Sequence, residues 1–590
     1  MKALRTFLPY LKRYRLAVFF GVLFVLLANI VSVQVPLLIG QTVNEIENRS
    51  ISTDMLLTML VLAVCYSGIE GAFRFLHRRL LIDASRDIEY EMRNQLFRKL
   101  ASLDPPFFDR NNTGDLMSRA TNDMDAVRML IGPAIMYTAN TAFSLPTVLV
   151  GMFFLDWKLS LVAMVPMLAL PPLVKYFGTK THEFSRLQQD SYGNLTTMVQ
   201  ENLAGIRVVK AYVQENAEEE KFAERNRDYI DRSLDLARVQ ALFFPSIRVL
   251  VALSYVILLV YGGSRIIGGQ LQVGTLFSIL LLFSGLVWPL IAAGWVVNII
   301  QRGIASLDRI NLIMNAQPKT ADSALPPPQI QDFSIEFRQL SFQYEGSEKP
   351  QLADINLTVP AGGTLGIVGP VGSGKSTLVN LLARFYPLPR GVLFIGGVDI
   401  NDWPLAELRR RVAFVFQETF LFSDTIGWNI RFGANDDLPQ KDVQQMAKRA
   451  QLHTAIADFP KGYDTILGER GVNLSGGQKQ RLSIARALAK EADVLVLDDS
   501  LSAVDTHTEE AILGELREYM KGRTTFLISH RISTVAMADQ IIVIEGGRIT
   551  QRGTHAELIE QPGLYSELYK RQLSEQELES FNSDDLEVAK

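Results

Sequence analysis

Cysteine is almost missing from this chain: Cys65 is the only one in 590 residues. That excludes an internal disulfide framework and a cysteine zinc cluster. Cys65 stands in an apolar run, where it reads as a small packed side chain rather than a reactive thiol. Neither sign of charge is in large excess, since 59 basic against 63 acidic residues leave a net −4. No long basic block occurs, so nucleic acid is not an expected partner. A removable leader is not expected either. The first apolar run has no small-residue cleavage site and is too long for a signal peptide, so it is expected to stay in place.

What the chain has instead is apolar length. Hydrophobic residues make up 48% of it and crowd into the first 300 positions. Six stretches, near 16–38, 55–77, 128–154, 158–178, 243–266 and 273–298, reach the roughly 20 residues needed to cross a bilayer. Lys2, Arg5, Lys12, Arg13 and Arg15 precede the first, and His77, Arg78, Arg79, Arg86 and Arg93 follow the second. The segment between those two, with Glu45, Glu47, Arg49 and Asp54, has no positive excess. The positive-inside bias then puts both termini in the cytoplasm and makes Asp156-Trp157-Lys158 a short external turn.

Residues 79–127 and 179–242 are charged, helix-prone and without a run of membrane length. They read as helices continuing out of the bilayer, one pair bending at Asp104-Pro105-Pro106 to Asp115, the other around Leu203-Ala204-Gly205-Ile206. They read either as two solvated helical hairpins or as transmission elements whose tips dock on an ATPase domain and carry its motion to the membrane. Glu70 and Arg74, four apart in the second span, can pair on one helix face. They read as a structural pair or as a substrate contact, because ionisable groups at membrane depth are functional suspects. Asn29, Gln34 and Trp288-Pro289 line a cavity or serve as helix–helix glue and a kink.

The expected domain order is a six-helix membrane domain at 1–312, a linker at 313–332 containing Pro326-Pro327-Pro328, a soluble α/β domain at 333–575, and an acidic tail at 576–590. Within the soluble part, Gly369-Pro370-Val371-Gly372-Ser373-Gly374-Lys375-Ser376 matches GxxxxGK[ST]. It follows the apolar strand Leu365–Val368 and opens a helix at Thr377. Glycines let backbone N–H groups converge on phosphate oxygens at a positive helix end. Lys375 is then placed to neutralise the outer phosphates, and Ser376 to offer its hydroxyl to Mg2+. Val494-Leu495-Val496-Leu497-Asp498 reads as a buried strand ending in a second magnesium ligand. Leu474-Ser475-Gly476-Gly477-Gln478 presents another serine and glycines at a helix start.

In that order these motifs resemble the ATP-binding cassette (ABC) transporters, specifically half-size exporters of multidrug or lipid type with fused membrane and ATPase domains. The resemblance covers roughly residue 5 to residue 575. It implies a membrane α-helical bundle, six helices with long cytoplasmic extensions, fused to an α/β P-loop NTPase domain. It implies ATP and Mg2+ as ligands. Ser475, Gly476, Gly477 and Gln478 are similar to the signature loop that caps ATP on the opposite subunit. Tyr344 resembles the aromatic that stacks on adenine. Gln417 resembles the glutamine that senses magnesium, and Ser502–Asp505 the loop that crosses to the other subunit's site. Thr465–Gly471 resembles the exporter loop that responds to transmission helices, and His530 the switch histidine of the γ-phosphate.

One family residue is lacking. The position after Asp498 usually holds the glutamate that polarises the attacking water, and here it is Asp499. Hydrolysis is largely positioning and charge stabilisation. Losing a methylene retracts the carboxylate by about 1.5 Å, and a misplacement of ~1 Å can cost about a hundredfold. The resemblance therefore implies a subunit with a degenerate catalytic site. Its partner would be a second half-transporter carrying glutamate at the position equivalent to Asp499. The alternative is a homodimeric lipid, drug or peptide exporter in which Asp499 is a competent base. Expected surroundings are the lipid bilayer of a bacterial inner membrane and an amphipathic small-molecule or lipid substrate. No peptidase domain precedes the first span and no added regulatory domain is visible, which weighs against a processing exporter and a gated channel.

Overall fold

The computed structural model describes residues 2–434 and 438–574; the acidic tail at 576–590 lies outside the described residues. Contacts divide the chain into two compact units. One holds the residues up to Ser102 together with Asn112–Ala316, and the other Leu103–Asn111 together with the chain from Gln317 onward.

Among the described residues of the first unit, six helices are long and apolar enough to cross a membrane: Arg15–Glu47, Thr53–Ser102, Thr113–Leu155, Trp157–Ala204, Glu215–Ile267 and Val273–Asn315. Their lengths explain the charged segments between the spans. Thr53–Ser102 is one helix of 50 residues and Glu215–Ile267 one of 53, both far longer than a bilayer needs. Backbone groups of a helix satisfy one another, so the extensions persist where the side chains turn polar. Gly205 breaks the helix between Ala204 and Ile206. The last helix continues to Asn315, three residues into the stretch expected as linker. Cys65 corrects the reading from composition: it is exposed, as no residue in the most apolar window of Thr53–Ser102 is buried within this chain.

Polar ties hold this bundle at both ends. Arg265 Nη1 donates to both oxygens of Asp156, each at 2.7 Å. Asn44 Oδ1 accepts from the Gly274 amide at 2.7 Å. At the other end Asp123 is buried and accepts from Arg309 Nε at 2.8 Å and Ser306 Oγ at 2.9 Å. Apolar packing fills the middle, around Met152, Leu159, Leu258, Ile279 and Phe283, all essentially inaccessible.

Among its described residues the second unit has ten strands: β1 (Ile335–Phe342), β2 (Leu352–Val359), β3 (Thr364–Val368), β4 (Leu393–Ile395), β5 (Val398–Asp399), β6 (Val412–Val415), β7 (Val494–Asp498), β8 (Thr524–Ile528), β9 (Gln540–Glu545) and β10 (Arg548–Gly553). An antiparallel sheet runs β2-β1-β4-β5, and a second sheet runs β10-β9-β3-β8-β7-β6, parallel from β9 to β6. Every residue of β3, β7 and β8 is buried, as expected for central strands covered on both faces. Ligands of such sheets bind beyond the carboxyl ends of the parallel strands. That is where Gly369, Asp499 and Ser529 follow β3, β7 and β8.

Leu103–Asn111, the tip of the first bend, packs within this second unit. Pro105–Arg110 forms a short helix with proline at its first positions. Asp104 Oδ2 accepts from the amides of Lys319 and Thr320 at 2.7 and 2.9 Å, and Asp109 accepts from the Tyr386 hydroxyl at 3.0 Å. The second bend stays uncovered in this chain, with Val208, Tyr212 and Val213 exposed.

Candidate functional site

A cavity of about 140 Å³ opens at the ends of β3, β7 and β8. Val371 to Thr377 form one wall, and Gln417, Asp498, Asp499 and His530 face them. Three strand ends and one loop thus bring together residues that are 160 positions apart in sequence. Gly374 explains the loop's glycines: its φ is +104°, and a Cβ there would sit 2.8 Å from the Gln351 carbonyl oxygen. The helix that follows runs Lys375–Asn380, two residues earlier than the sequence suggested.

Lys375 is buried, and its ammonium donates to the carbonyls of Gly369 at 2.8 Å and Pro370 at 2.7 Å. Burial pushes it below its ordinary pKa, while the carboxylates of Asp498 and Asp499 pull it part of the way back. Asp498 moves the opposite way. Burial raises its pKa, a hydrogen bond from Ser376 opposes that, the charge of Asp499 adds to it, and Lys375 and His530 oppose. Two carboxylates and one serine hydroxyl around a buried position fit a divalent cation, which would relieve both the burial and the mutual repulsion. The Ser373 hydroxyl is buried without a partner inside the loop, and a phosphate oxygen is the acceptor such a cradle suits. The residues therefore fit Mg2+ held by Ser376 and Asp498 with Gln417 alongside.

Asp499 lies immediately past β7 with φ +46°. Its amide donates to the Ile528 carbonyl at 2.9 Å, and its carbonyl accepts from Ser502 Oγ at 3.1 Å. The backbone is thus fixed from both sides, and only the side chain can adjust. His530 is exposed on the same rim, its carbonyl held by Gln572 Nε2 at 2.6 Å. Tyr344 is half-buried beside the site. Its hydroxyl lies 2.9 Å from Thr377 Oγ1, and its ring meets Phe342 and Tyr386 edge-on.

Ser475, Gly476, Gly477, Gln478 and Asp505 do not line this cavity. They form a second surface. Ser475 caps the helix Gly476–Ala489 in a capping box with Gln478, and Asp505 caps Thr506–Met520 through the Thr508 amide at 2.9 Å. A Cβ on Gly477 would stand 2.8 Å from the Ala503 carbonyl oxygen, so the signature helix and the loop after β7 touch through that glycine. Gln480 locks the two together. Its Nε2 donates to Ser502 Oγ at 3.0 Å, and its Oε1 accepts from the Ala503 amide at 2.9 Å. Sequence reading passed over this residue, and over Gln351, whose Nε2 donates to the Gly372 carbonyl at 2.8 Å. Neither stands inside a recognisable phosphate-binding pattern.

Comparison with known proteins agrees with this geometry. Residues 18–290 match the family described as the ABC transporter transmembrane region, and residues 352–502 the family described as ABC transporter. The chain is 36% identical over 564 residues to the Bacillus subtilis probable multidrug resistance ABC transporter ATP-binding/permease protein YheI, covering 95% of this chain and 96% of that one. It is 35% identical to the Escherichia coli multidrug resistance-like ATP-binding protein MdlA, covering 92% of each. With the ATP-dependent lipid A-core flippase of Syntrophus aciditrophicus the identity is 37%, over 86% of this chain and 84% of that one. Among solved structures, a bacterial Atm1-family ABC exporter with ATP bound superposes with a TM-score of 0.76 at 28% identity, over 95% of this chain and 98% of that one.

Proposed function

Since the chain belongs to the ABC transporter family, as an exporter half-transporter whose ATPase drives transport, we propose that it is the slow-hydrolysing half of an asymmetric pair. It is an ATP-driven exporter of the multidrug or lipid-flippase kind. The proposed arrangement is a membrane domain at 1–312, a linker at 313–332, a nucleotide-binding domain at 333–575 and a tail at 576–590, in a bacterial inner membrane with both termini cytoplasmic. The substrate is an amphipathic small molecule or lipid.

The observation that carries the asymmetry is Asp499. The P-loop, Ser376, Gln417, Asp498 and His530 are complete around the cavity, so nucleotide binding has all it requires. Lys375 reaches the outer phosphates once it leaves the Gly369 and Pro370 carbonyls. Ser376 and Asp498 would hold a magnesium ion, which when bound would supply positive charge against the phosphate oxygens. Tyr344 offers a ring to adenine. Asp499 then has to orient water with a carboxylate about 1.5 Å short of a glutamate's reach, on a backbone pinned at both its amide and its carbonyl. A poor base on a good binding site retains ATP.

The other half of the proposal concerns Ser475–Gln478 and Asp505. Their capped helix start, tied to Ser502 and Ala503 through Gln480, supplies a sound cap to the P-loop of a second half-transporter carrying the glutamate. Intact-complex mass spectrometry after gentle purification from the native host tests the pairing. A one-to-one complex with a second cassette chain is the expected result. A homodimer whose brisk ATPase falls on Asp499→Asn would sink the asymmetric reading and leave Asp499 as a working base.

A further inference from the structure

Inside the membrane unit, a cavity of about 490 Å³ lies between the first, second, third and last long helices. Its wall contains two charged groups, Glu70 and Arg74, together with amides and hydroxyls from Asn29, Asn140, Ser284 and others, beside Trp288 and the aliphatic Val148 and Leu281. Arg74 Nη2 donates to Glu70 Oε1 at 2.6 Å. The two partners are not equivalent. The Glu70 side chain is 19% exposed and the Arg74 side chain 66% exposed. One is held under cover; the other is a long arm with freedom to leave.

One of the hydroxyls leans the same way. Ser284 Oγ donates to the Leu281 carbonyl at 2.6 Å and Ser32 Oγ to the Asn29 carbonyl at 2.8 Å. Ser32, which gives its proton to its own helix, shows the cavity lone pairs, whereas Ser284 is also bonded to the Tyr255 hydroxyl. Asn29 and Asn140 bond to each other at 3.1 Å and so hold the first and third long helices together behind the pair. The Trp288 ring is mostly uncovered, and its face attracts cations.

We propose that this cavity is the recognition site for a cationic amphiphile, an organic ammonium with an apolar body, and that Glu70 is the residue that selects it. The proposal rests on the exporter reading and adds the charge of the cargo to it. The argument is one of exchange. An ammonium that takes the place of Arg74 on Glu70 swaps one cation for another, so the covered carboxylate never stands unpaired at membrane depth. An anion would have to take Arg74 away and leave the half-covered Glu70 without a partner at membrane depth, which is costly for an ionised group. The ammonium's N–H groups also find the Ser32 lone pairs, and its apolar body lies along Val148 and Leu281. Arg74 and the ammonium thus compete for Glu70, the partner Arg74 holds in the resting structure.

That competition makes a test with a sign. The assembled complex, in phosphatidylcholine nanodiscs without ATP, is titrated with three dansyl-alkyl probes of equal length: the amine, its N-acetyl derivative and the corresponding carboxylate. The amine should bind tightest. Glu70→Gln should weaken it by about tenfold, which is 1.4 kcal/mol, to the level of the neutral probe. Glu70→Asp, which keeps the charge, should retain the order amine, neutral, acid. Arg74→Gln should tighten the amine, because its internal competitor is gone. A merely structural ion pair gives loss in both Glu70→Gln and Arg74→Gln, and that result overturns the proposal, as does tightest binding of the carboxylate. ATP-driven efflux of the amine from proteoliposomes separates the two readings. Efflux indifferent to Glu70 overturns this inference alone, whereas charge-selective binding without ATP-driven movement overturns the export reading alone.

Discussion

Asp499 holds its carboxylate on a left-handed backbone, φ +46°, a region that aspartate tolerates better than most side chains because it can hydrogen-bond locally. Asp499→Glu therefore gains about 1.5 Å of reach and incurs backbone strain on the order of 1 kcal/mol. Turnover at this site should rise by up to about a hundredfold, with a slight loss of thermal stability; single-site ATPase measured with the partner's glutamate replaced by glutamine is the readout. Unchanged turnover would show that side-chain length is not what limits the site. Gly477 tests the opposite surface. A methyl there meets the Ala503 carbonyl oxygen at 2.8 Å, so Gly477→Ala should push the loop after β7 away from the signature helix. Loss of the order of a hundredfold in the partner site's ATPase should leave the ATP affinity of this chain's own P-loop unchanged. These positions show what was readable residue by residue. The P-loop, Asp498 and Asp499 are contiguous runs whose spacing carries their chemistry. Gln480 and Gln351 act on partners about 20 positions away, and nothing local to either announces it.

Asp123 sits at the end of a π-helical segment, Arg119–Asp123, inside the third long helix. Such a bulge re-aims a side chain, and here the side chain is aimed at Arg309 and Ser306 of the last helix. No proline or glycine marks the bulge, so it could not be read ahead; its cause lies some 186 residues further on. The six spans were legible because apolar length is a local property, and the helix break at Gly205 because glycine is a local signal. That the tip of the first hairpin meets the ATPase domain was legible too, from its charge and its bend; its partners were not, since Asp104 meets the amides of Lys319 and Thr320 across more than 200 residues. Asp123→Asn removes the charge from a half-solvated network, Arg309 being 48% exposed, and should cost about 1.5 kcal/mol. Burial raises the Asp123 carboxyl, but Arg309, Ser306 and Arg119 outweigh it and hold it below the ordinary carboxylate range. A depressed folded-state pKa gives stability that is complete above the unfolded value and lost as pH falls through the folded one. The thermal gap between the native protein and Asp123→Asn should accordingly be constant from neutral pH down to about 4 and close below it. A gap that closes near neutrality instead would assign the stability to another group.

At the scale of the whole molecule, the nucleotide unit carries two half-sites that do not meet within one chain. The cavity of Val371–Thr377, Asp498, Asp499 and His530 is one; the Ser475–Gln478 helix start with Asp505 is the other. On the proposed reading each is completed by a second cassette that faces it, so neither half-site closes a catalytic site within one chain. If the facing chain carries the glutamate, the two completed sites differ in one step alone. Both bind ATP through intact P-loops, and only the partner's releases it as product at speed. An equilibrium between open and closed cassettes is shifted by whatever binds the closed form more tightly, so ATP retained beside Asp499 should hold the pair together between cycles. Rapid gel filtration of the cycling complex should then recover close to one unhydrolysed ATP per pair of chains. Lys375→Ala should abolish that retained ATP, since the buried ammonium at this site is the group proposed to meet the outer phosphates, while the partner's P-loop still loads. Recovery of ADP alone from the unmodified complex would mean that Asp499 turns over as fast as a glutamate. The short carboxylate would then be a tolerated variant of the base and not the source of an asymmetric cycle.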